Sequence, residues 1–513
     1  MNLKKLLAVQ SAIVLALIAV LASAGLSAPA LAAPGNVSRV SLSTSEEQSN
    51  GSSDWPTMSS DGRYVAFYSE ASNLVPGDTN GVSDVFVRDL QTGTTTRVSV
   101  SSSGLQSNAD SHDAVISGNG RYVAFISFAT NLVPQADIPG TYDIFVHDLQ
   151  TSTTTAVSVT LDNNLGHLNS YHQTISDDGR YIAFNSSVGD FVAGDTNGAS
   201  DVFVWDMQTA TLTRVSVSSS GAQSDGSSFY TGISGDGRYI TFHSAATNLV
   251  SGDTNGLMDI FVRDTQTGTT TRVSVTSSGV QSVNGDSMYP AISSTGRYVV
   301  FQSQASNLAT GDGNNKWDIF RRDLQTGTTS LVSVAANGGF ADNDSVKSSV
   351  SGDGRYVVFD SDAANLVAGD TNSLADAFLR DMQTGNTMRV SVDANGIQST
   401  GGATFYPAIT PNGQYITYKS FATNLVSGDT NSSADIFVFE QDPLQGVPTA
   451  TATATPEPTA TKTATQPAAS TEPTASTSTD STKKTSTSTT GSTGSTTDST
   501  GTSGSASSSS ATK

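Results

Sequence analysis

One loop pattern in this chain combines residue types that could bind a cation: Asp-x-Asn, followed four residues later by a second Asp. In its first copy, Asp78, Asn80 and Asp84 surround Gly81. Carboxylate and amide oxygens at such short intervals around a glycine turn suit a hard cation such as Ca²⁺. We therefore treat six loops as candidate calcium sites. The other copies are Asp195, Asn197 and Asp201; Asp253, Asn255 and Asp259; Asp312, Asn314 and Asp318; Asp370, Asn372 and Asp376; and Asp429, Asn431 and Asp435.

The same pattern has a second interpretation that involves no metal. The bidentate Glu that closes an EF-type loop is missing, and Asp and Asn side chains commonly form Asx-turns that shape a loop before a strand begins. One further loop, Asp137-Ile138-Pro139-Gly140, breaks the pattern. Both interpretations stay open. Ca²⁺, bound with an affinity of about 10⁻⁴ to 10⁻³ M as in extracellular modules, is the one cofactor considered.

Known catalytic motifs are not found in the repeated part of the sequence. There is no Gly-x-Ser-x-Gly nucleophile elbow, and no cysteine to act as nucleophile, thiolate ligand or disulfide partner. The histidines share neither a His-Glu-x-x-His spacing nor a repeated register. We therefore assign no catalytic or cofactor-binding residue and expect a protein that is not an enzyme. The histidines are His112, His147, His167, His172 and His243.

The candidate loops belong to a unit that occurs seven times. The triplet Gly-Arg-Tyr marks each unit, and successive copies lie 58 or 59 residues apart. Such a regular period indicates one structural unit stacked on itself. The copies begin at Gly62, Gly120, Gly179, Gly237, Gly296 and Gly354, with Gly413-Gln414-Tyr415 as the seventh.

Apolar residues alternate with a period of two inside each unit, which predicts strands and no helices. In the first unit we predict strands at residues 56–59, 64–69, 84–89 and 96–101. Asp61-Gly62 and Thr92-Gly93 are dipeptides typical of tight hairpin turns. Four antiparallel strands per repeat describe one blade of a β-propeller, so we predict an all-β, seven-bladed propeller.

Closure of the ring is predicted from a motif that the last unit lacks and that stands instead before the first unit. Arg-Val-Ser-Val stands at Arg97 and recurs in most units, where we interpret it as the fourth strand. The seventh unit ends without it at residues 435–440, whereas a copy precedes the first unit as Arg39-Val40-Ser41-Leu42. We therefore expect residues 37–43 to complete the last blade, which would remove two strand edges. The other copies begin at Arg214, Arg272 and Arg389, with variants at Ala156 and Leu331.

A second candidate site follows from this architecture. The long connections, from strand two to three and from strand four to the next blade, emerge on one face of a propeller, where functional loops concentrate. The first strand begins there, near the mouth of the central channel. Aromatic residues with one acid and one base at this mouth would suit a sugar, a peptide or a flexible loop, or would pack between neighbouring blades. They are Trp55, Asp113, His172, Tyr230, Tyr289, Lys347 and Tyr406.

The repeat resembles a known family. Ser-x-Asp-Gly-Arg-Tyr-Val-Ala-Phe-x-Ser, followed by Asp-Val-Phe-Val-Arg-Asp and Thr-Gly, is similar to the TolB-like or WD40-like (PD40-type) propeller repeat of exported bacterial proteins. The resemblance covers residues 36–442 and implies an exported propeller. TolB itself has six blades and an additional α/β domain, so a role in a Tol-Pal complex is not expected.

The ends of the chain and its charge predict where it works. Residues 1–32 have the layout of a secretory signal peptide, residues 33–447 hold the propeller, and the Thr/Ser/Pro-rich residues 448–513 are expected to form a disordered spacer. No later segment is apolar enough to span a membrane. The formal charge of −21 disfavours nucleic acid as a partner. We expect a secreted or cell-surface protein, periplasmic in a cell with an outer membrane.

Together these features favour an exported, monomeric, non-catalytic binding or scaffold propeller. Its ligand would be a protein or a polysaccharide on the acidic, loop-rich face, which calcium could order. Two alternatives stay open: a carbohydrate-active enzyme of the propeller class and a structural cell-surface component.

Overall fold

The computed structural model describes residues 36–441, and these form seven antiparallel sheets of four strands each. Six sheets follow chain order, as in β2-β3-β4-β5, and the seventh has the order β1-β28-β27-β26. All named elements of this part of the chain are strands. The prediction of an all-β, seven-bladed propeller is confirmed. Within residues 36–441, no helix is found that is long and apolar enough to cross a membrane. The predicted signal peptide, residues 1–32, and the predicted tail, residues 448–513, lie outside the described residues.

The strands have nearly the same lengths in every blade. Blade 1 contains β2 (Ser53–Met58), β3 (Tyr64–Ser69), β4 (Asp84–Asp89) and β5 (Thr94–Arg97). Blade 2 contains β6 (Ser111–Ile116), β7 (Tyr122–Ser127), β8 (Asp143–Asp148) and β9 (Thr153–Ala156). Blade 3 contains β10 (Ser170–Ile175), β11 (Tyr181–Ser186), β12 (Asp201–Asp206) and β13 (Thr211–Arg214). Blade 4 contains β14 (Ser228–Ile233), β15 (Tyr239–Ser244), β16 (Asp259–Asp264) and β17 (Thr269–Arg272).

The remaining blades repeat this arrangement, and the last one takes its fourth strand from the start of the described chain. Blade 5 contains β18 (Ser287–Ile292), β19 (Tyr298–Ser303), β20 (Asp318–Asp323) and β21 (Thr328–Leu331). Blade 6 contains β22 (Ser345–Val350), β23 (Tyr356–Ser361), β24 (Asp376–Asp381) and β25 (Asn386–Arg389). Blade 7 contains β26 (Thr404–Ile409), β27 (Tyr415–Ser420), β28 (Asp435–Glu440) and β1 (Asn36–Arg39).

The N-terminal strand closes the ring as predicted. β1 pairs antiparallel with β28, with Asn36 opposite Glu440 and Arg39 opposite Phe437. The amide of Val40 continues the pairing by donating to the carbonyl of Ile436 at 2.7 Å. Closure gives the outer edge of β28 a partner, which removes the exposed edge that an open ring would have.

The predicted fourth strand was wrong in its position. β5 ends at Arg97, so only the arginine of Arg-Val-Ser-Val belongs to the strand. The amide of Val98 still donates to the carbonyl of Val85. The amide of Val85, however, donates to the Ser99 hydroxyl at 3.1 Å and not to a backbone carbonyl. This side-chain bond ends the ladder, and the chain turns away. The first strand also begins earlier than predicted, at Ser53 rather than residue 56.

Repeated phenylalanines form the core between blades. Phe67 on β3 and Phe86 on β4 face each other with ring centroids 6.0 Å apart, and both are completely buried. They pack with Val40, Ile436 and Val438 of the last blade, so the cluster joins two blades. Each phenylalanine contributes about 1.5–3 kcal/mol by leaving water.

The Gly-Arg-Tyr triplet joins neighbouring blades at the tight-turn face. Gly62 has a φ of 77°, and a β-carbon there would lie 2.2 Å from the ring of Tyr415 in the preceding blade. The Arg63 guanidinium lies over the Tyr64 ring at 4.7 Å and pairs with both carboxylate oxygens of Asp89. This pairing holds the pKa of Asp89 down to about 2. The triplet is therefore explained by packing.

Candidate site in the central channel

The residues predicted at the channel mouth occupy one equivalent position in all seven blades. This is the third residue of each first strand, where the pairing shifts: Asp54 faces Tyr68, but Thr57 faces Ala66, which leaves Trp55 and Pro56 in a β-bulge. All seven residues have a positive φ, between 48° and 56°. Such a backbone costs about 1–3 kcal/mol for a residue other than glycine, and residues strained in this way cluster at active sites and ligand-binding sites. We call these seven residues the channel ring.

Side chains of the channel ring converge from four blades onto one lysine. The Nζ atom of Lys347 lies 3.3 Å from the ring centroid of Tyr289 and 4.9 Å from that of Tyr230. The same Nζ atom lies 5.8 Å from the ring centroid of Trp55 and 5.9 Å from that of Tyr406. These distances permit cation–π attraction to all four rings. The ring therefore presents aromatic groups around a single positive charge.

The other members complete the contacts around the axis. Tyr230 stacks closely on His172, with centroids 3.5 Å apart, and meets Tyr289 at 4.3 Å. Burial lowers the pKa of His172 to about 4, so the imidazole is neutral at pH 7. Burial and the nearby Asp54 raise the pKa of Asp113 to about 6, and burial lowers the pKa of Lys347 to about 8. At neutral pH the channel ring thus holds one cationic side chain, Lys347, and one carboxyl group, Asp113.

A second set of channel residues was missed by the sequence analysis. They occupy the next-to-last position of each second strand, and several of them contact the channel ring. Gln302 accepts the amide of Lys347 at 3.2 Å, and Asp360 accepts the amide of Tyr406 at 3.2 Å. One signal in the sequence could have identified them. This position varies from blade to blade, whereas the aromatic residue before it and the Ser after it are repeated. The set is Tyr68, Ile126, Asn185, His243, Gln302, Asp360 and Lys419.

A cavity of about 270 Å³ adjoins the channel ring and is lined by five of its members and by the residues that follow them, such as Pro56 and Pro290. At the far end of the first strands, the tight turns of neighbouring blades bond to each other. The amide of Ser60 donates to Gly118 and the amide of Asp177 donates to Gly235, both at 2.9 Å. These bonds connect neighbouring blades at the tight-turn face.

Larger cavities lie in grooves between blades on the tight-turn side. The groove between blades 3 and 4, of about 580 Å³, is lined by Asp206, Asp236 and Arg238. A similar groove between blades 7 and 1 is lined by Asp61 and Arg63. Because the repeat itself generates both grooves, they carry no chemistry that distinguishes one blade from another.

In four of the six candidate calcium loops, an arginine lies between the two carboxylates. The Nη1 atom of Arg97 is 3.1 Å from Oδ1 of Asp78 and 3.1 Å from Oδ2 of Asp84. Arg214, Arg272 and Arg389 do the same in blades 3, 4 and 6.

The other two candidate loops differ at the arginine position. In blade 7, Arg39 of the closing strand lies 3.9 Å from Asp429 and 3.6 Å from Asp435. Blade 5 has Leu331 at this position, and Asn314 donates to Asp318 at 2.8 Å.

The asparagine of each candidate loop makes the bond of an Asx-turn. Oδ1 of Asn197 accepts the amide of Ala199 at 3.0 Å, and Asn255 and Asn372 accept the amides of Leu257 and Leu374. Residues 36–441 contain no group of three or more His, Cys, Asp or Glu side chains arranged to hold a metal. A calcium ion would have to displace the arginine in most of these loops. Calcium binding there stays a prediction.

The chain is similar to several solved structures at low sequence identity. No protein-family profile and no curated protein matches the chain. Among solved structures it is similar to an oligogalacturonate lyase in complex with manganese, with 12% identity over 81% of this chain and 95% of that chain and a TM-score of 0.47. A putative TolB from Agrobacterium tumefaciens has 16% identity over 70% and 98% of the two chains, with a TM-score of 0.38. The β-propeller domain of the Trilobed protease from Pyrococcus furiosus has 11% identity over 76% and 94%, with a TM-score of 0.46.

The seven four-stranded blades confirm the expectation of a β-propeller, and a TolB structure is among the solved structures to which the chain is similar. This likeness concerns the fold alone. What the protein binds has to be inferred from its own channel.

Proposed function

We propose that this protein is an extracytoplasmic, non-catalytic binding propeller whose channel ring takes a neutral saccharide. One observation carries the proposal: seven nearly identical blades differ from one another at the channel ring. The ring holds three tyrosines, Trp55, His172, Asp113 and Lys347 at one equivalent position. Residues that hold the fold together are repeated, so variation at a strained, converging position favours a role in recognition.

The chemistry of the channel ring supports a sugar. Tyr289 and Trp55 offer aromatic faces, while Asp113 and Lys347 offer an acceptor and a donor of hydrogen bonds. The net charge of −21 disfavours a polyanionic ligand by long-range repulsion. Because the channel ring lies near the start of each first strand, where the long connections between blades enter, the ligand would approach from the loop-rich face. The signal-peptide pattern of residues 1–32 supports a location outside the cytoplasm.

The experiment is a titration of the full chain with neutral oligosaccharides, comparing the wild type with Tyr289→Ala. We expect at least a tenfold loss of affinity in the variant, with little change in melting temperature. Leu161→Ala is the matched control, because Leu161 is 66% exposed on a connection between blades and lies outside the channel ring. A variant that loses stability and keeps its affinity would show that the ring only packs the blades together. Binding of a protein segment with no sugar binding would also contradict the proposal.

A second candidate function is favoured by the channel carboxylates. Asp54, Asp113 and Asp360 are not repeated in other blades, although most acidic residues of the chain are. Burial raises the pKa of Asp113 to about 6, whereas Lys419 binds Asp54 directly. A carboxyl group with a raised pKa and a second carboxyl group are the pair that glycoside hydrolysis uses. Release of new reducing ends by the wild type, abolished by Asp113→Asn, would establish this enzyme function instead.

A further inference from the structure

An arginine neutralises a pair of loop carboxylates in five of the seven blades. In blade 1, Oδ2 of Asp84 accepts bonds from both Arg97 and Asn80, at 3.1 and 2.9 Å. Its Oδ1 atom accepts the hydroxyl of Ser107 at 2.8 Å. The buried carboxylate is thereby fully bonded and its charge is balanced. These contacts show that the position between the two carboxylates is one where the fold places a positive charge.

Blade 2 lacks three of these donors. The arginine is replaced by Ala156, the asparagine by Pro139 and the serine by Gly166. The carboxylates themselves are kept, as Asp137 and Asp143. Asp143 is completely buried, and its Oδ1 atom accepts only the Ser158 hydroxyl at 2.7 Å and the Gly166 amide at 3.2 Å.

Three buried oxygens remain without a donor in this loop. They are Oδ2 of Asp143, Oδ1 of Asp137 and Oε1 of Gln135, each without a hydrogen-bond partner among residues 36–441. The two carboxyl groups also lie within hydrogen-bonding range of each other. Two adjacent carboxylates, one of them fully buried, are strongly unfavourable unless a positive charge or a proton joins them.

We propose that Asp137 and Asp143, assisted by Gln135, bind a hard divalent cation such as Ca²⁺ in place of the missing guanidinium. Carboxylate and amide oxygens without nitrogen or sulfur ligands match the preference of Ca²⁺. Gln135 and the half-buried Asp137 belong to the long connection between β7 and β8, which gives an ion a path from solvent. The proposed site lies where the Asp-x-Asn pattern is broken, and it is independent of the channel ring.

Blade 5 provides an internal comparison. It also lacks the arginine, with Leu331 in its place. However, Asn314 donates to Asp318 Oδ2 at 2.8 Å and Ser333 donates to Oδ1 at 2.6 Å, so both oxygens have partners. The unpartnered oxygens are what distinguishes blade 2.

The test is calorimetric titration of the full chain with calcium chloride, together with thermal melts. We expect about one site per chain and, at a calcium concentration near 100 times the dissociation constant, a rise in melting temperature of roughly 3–5 °C. Ala156→Arg should remove both effects, because it restores the guanidinium. Leu331→Arg in blade 5 is the matched control and should leave the calcium response unchanged. If Ala156→Arg fails to fold, Asp137→Asn on the half-buried residue provides the same test.

Several outcomes would overturn the proposal. One is a wild type with no calcium response whose stability falls as the pH rises, which would show that the two acids share a proton. Another is calcium binding that Ala156→Arg and Asp137→Asn leave intact. A stoichiometry near six would place the ions in the Asp-x-Asn loops instead.

Discussion

Replacing Arg97 by Ala should give blade 1 the unbalanced charge of blade 2. The Arg97 side chain is 12% exposed, and the side chains of its partners Asp78 and Asp84 are 4% and 0% exposed. Removing one member of a buried ion pair typically costs about 3–5 kcal/mol, because the remaining charge is left without a partner. We therefore expect the variant to lose about 3–5 kcal/mol of unfolding free energy.

The measurement is urea unfolding with a parallel thermal melt. In a domain of this size, 1 kcal/mol of unfolding free energy corresponds to roughly 1–2 °C of melting temperature, so we expect a fall of roughly 3–10 °C. Arg63→Ala is the control, because the Arg63 side chain is 36% exposed, so that solvent screens its pair with Asp89 and its loss should cost about 1 kcal/mol or less. Arg97→Ala should also be stabilised by calcium bound in blade 1, an effect that this blade does not show in the wild type. A loss below about 1 kcal/mol would refute the idea that the arginine balances these carboxylates.

Four further outcomes are expected. Burial raises the pKa of Asp360 to about 8. Its contribution to stability is therefore full near pH 4 and is lost as the pH rises towards 8. In thermal melts recorded over this pH range, Asp360→Asn should show a smaller decline than the wild type. The pKa of Asp89 is about 2, so its contribution is lost as the pH falls below about 4, and the melting temperature should be highest near pH 4–5. Removing residues up to 43 should open the ring and cause aggregation, visible by light scattering, and an unchanged melting temperature would contradict closure by β1. Gly62→Ala should destabilise by about 1–3 kcal/mol in urea unfolding, because it meets the Tyr415 ring at a φ of 77°.

The repeats made the architecture predictable, and local side-chain bonds limited the detail. The turn dipeptides and period-two alternation located the second and third strands correctly, because both signals are local. The fourth strand was misplaced, since Ser99 takes the Val85 amide and ends the ladder where the sequence still alternates. No local signal distinguishes a hydroxyl that ends a strand from one that faces solvent.

The candidate site was predicted in part. The channel ring was found because the repeat period aligns equivalent positions, but its positive φ and its convergence on Lys347 were not predictable. The second set of channel residues was missed, because a variable position looks like an exposed one until the strands are paired. The acidic loops were recognised as a pattern, but their arginine partner, 13 residues after the last Asp, was interpreted only as part of a strand.

The sequence by itself determined the number of blades, their four-stranded content and the closing role of the N-terminal strand, because these depend on periodicity and on turn residues that act locally. Only the tertiary structure decided which charges are balanced. Arg97 reaches Asp78 and Asp84 across a loop and a strand, while Ala156 leaves Asp137 and Asp143 without such a partner. The same carboxylate pattern can therefore be a closed ion pair in one blade and a candidate cation site in the next, since a charge is balanced by what lies around it in space.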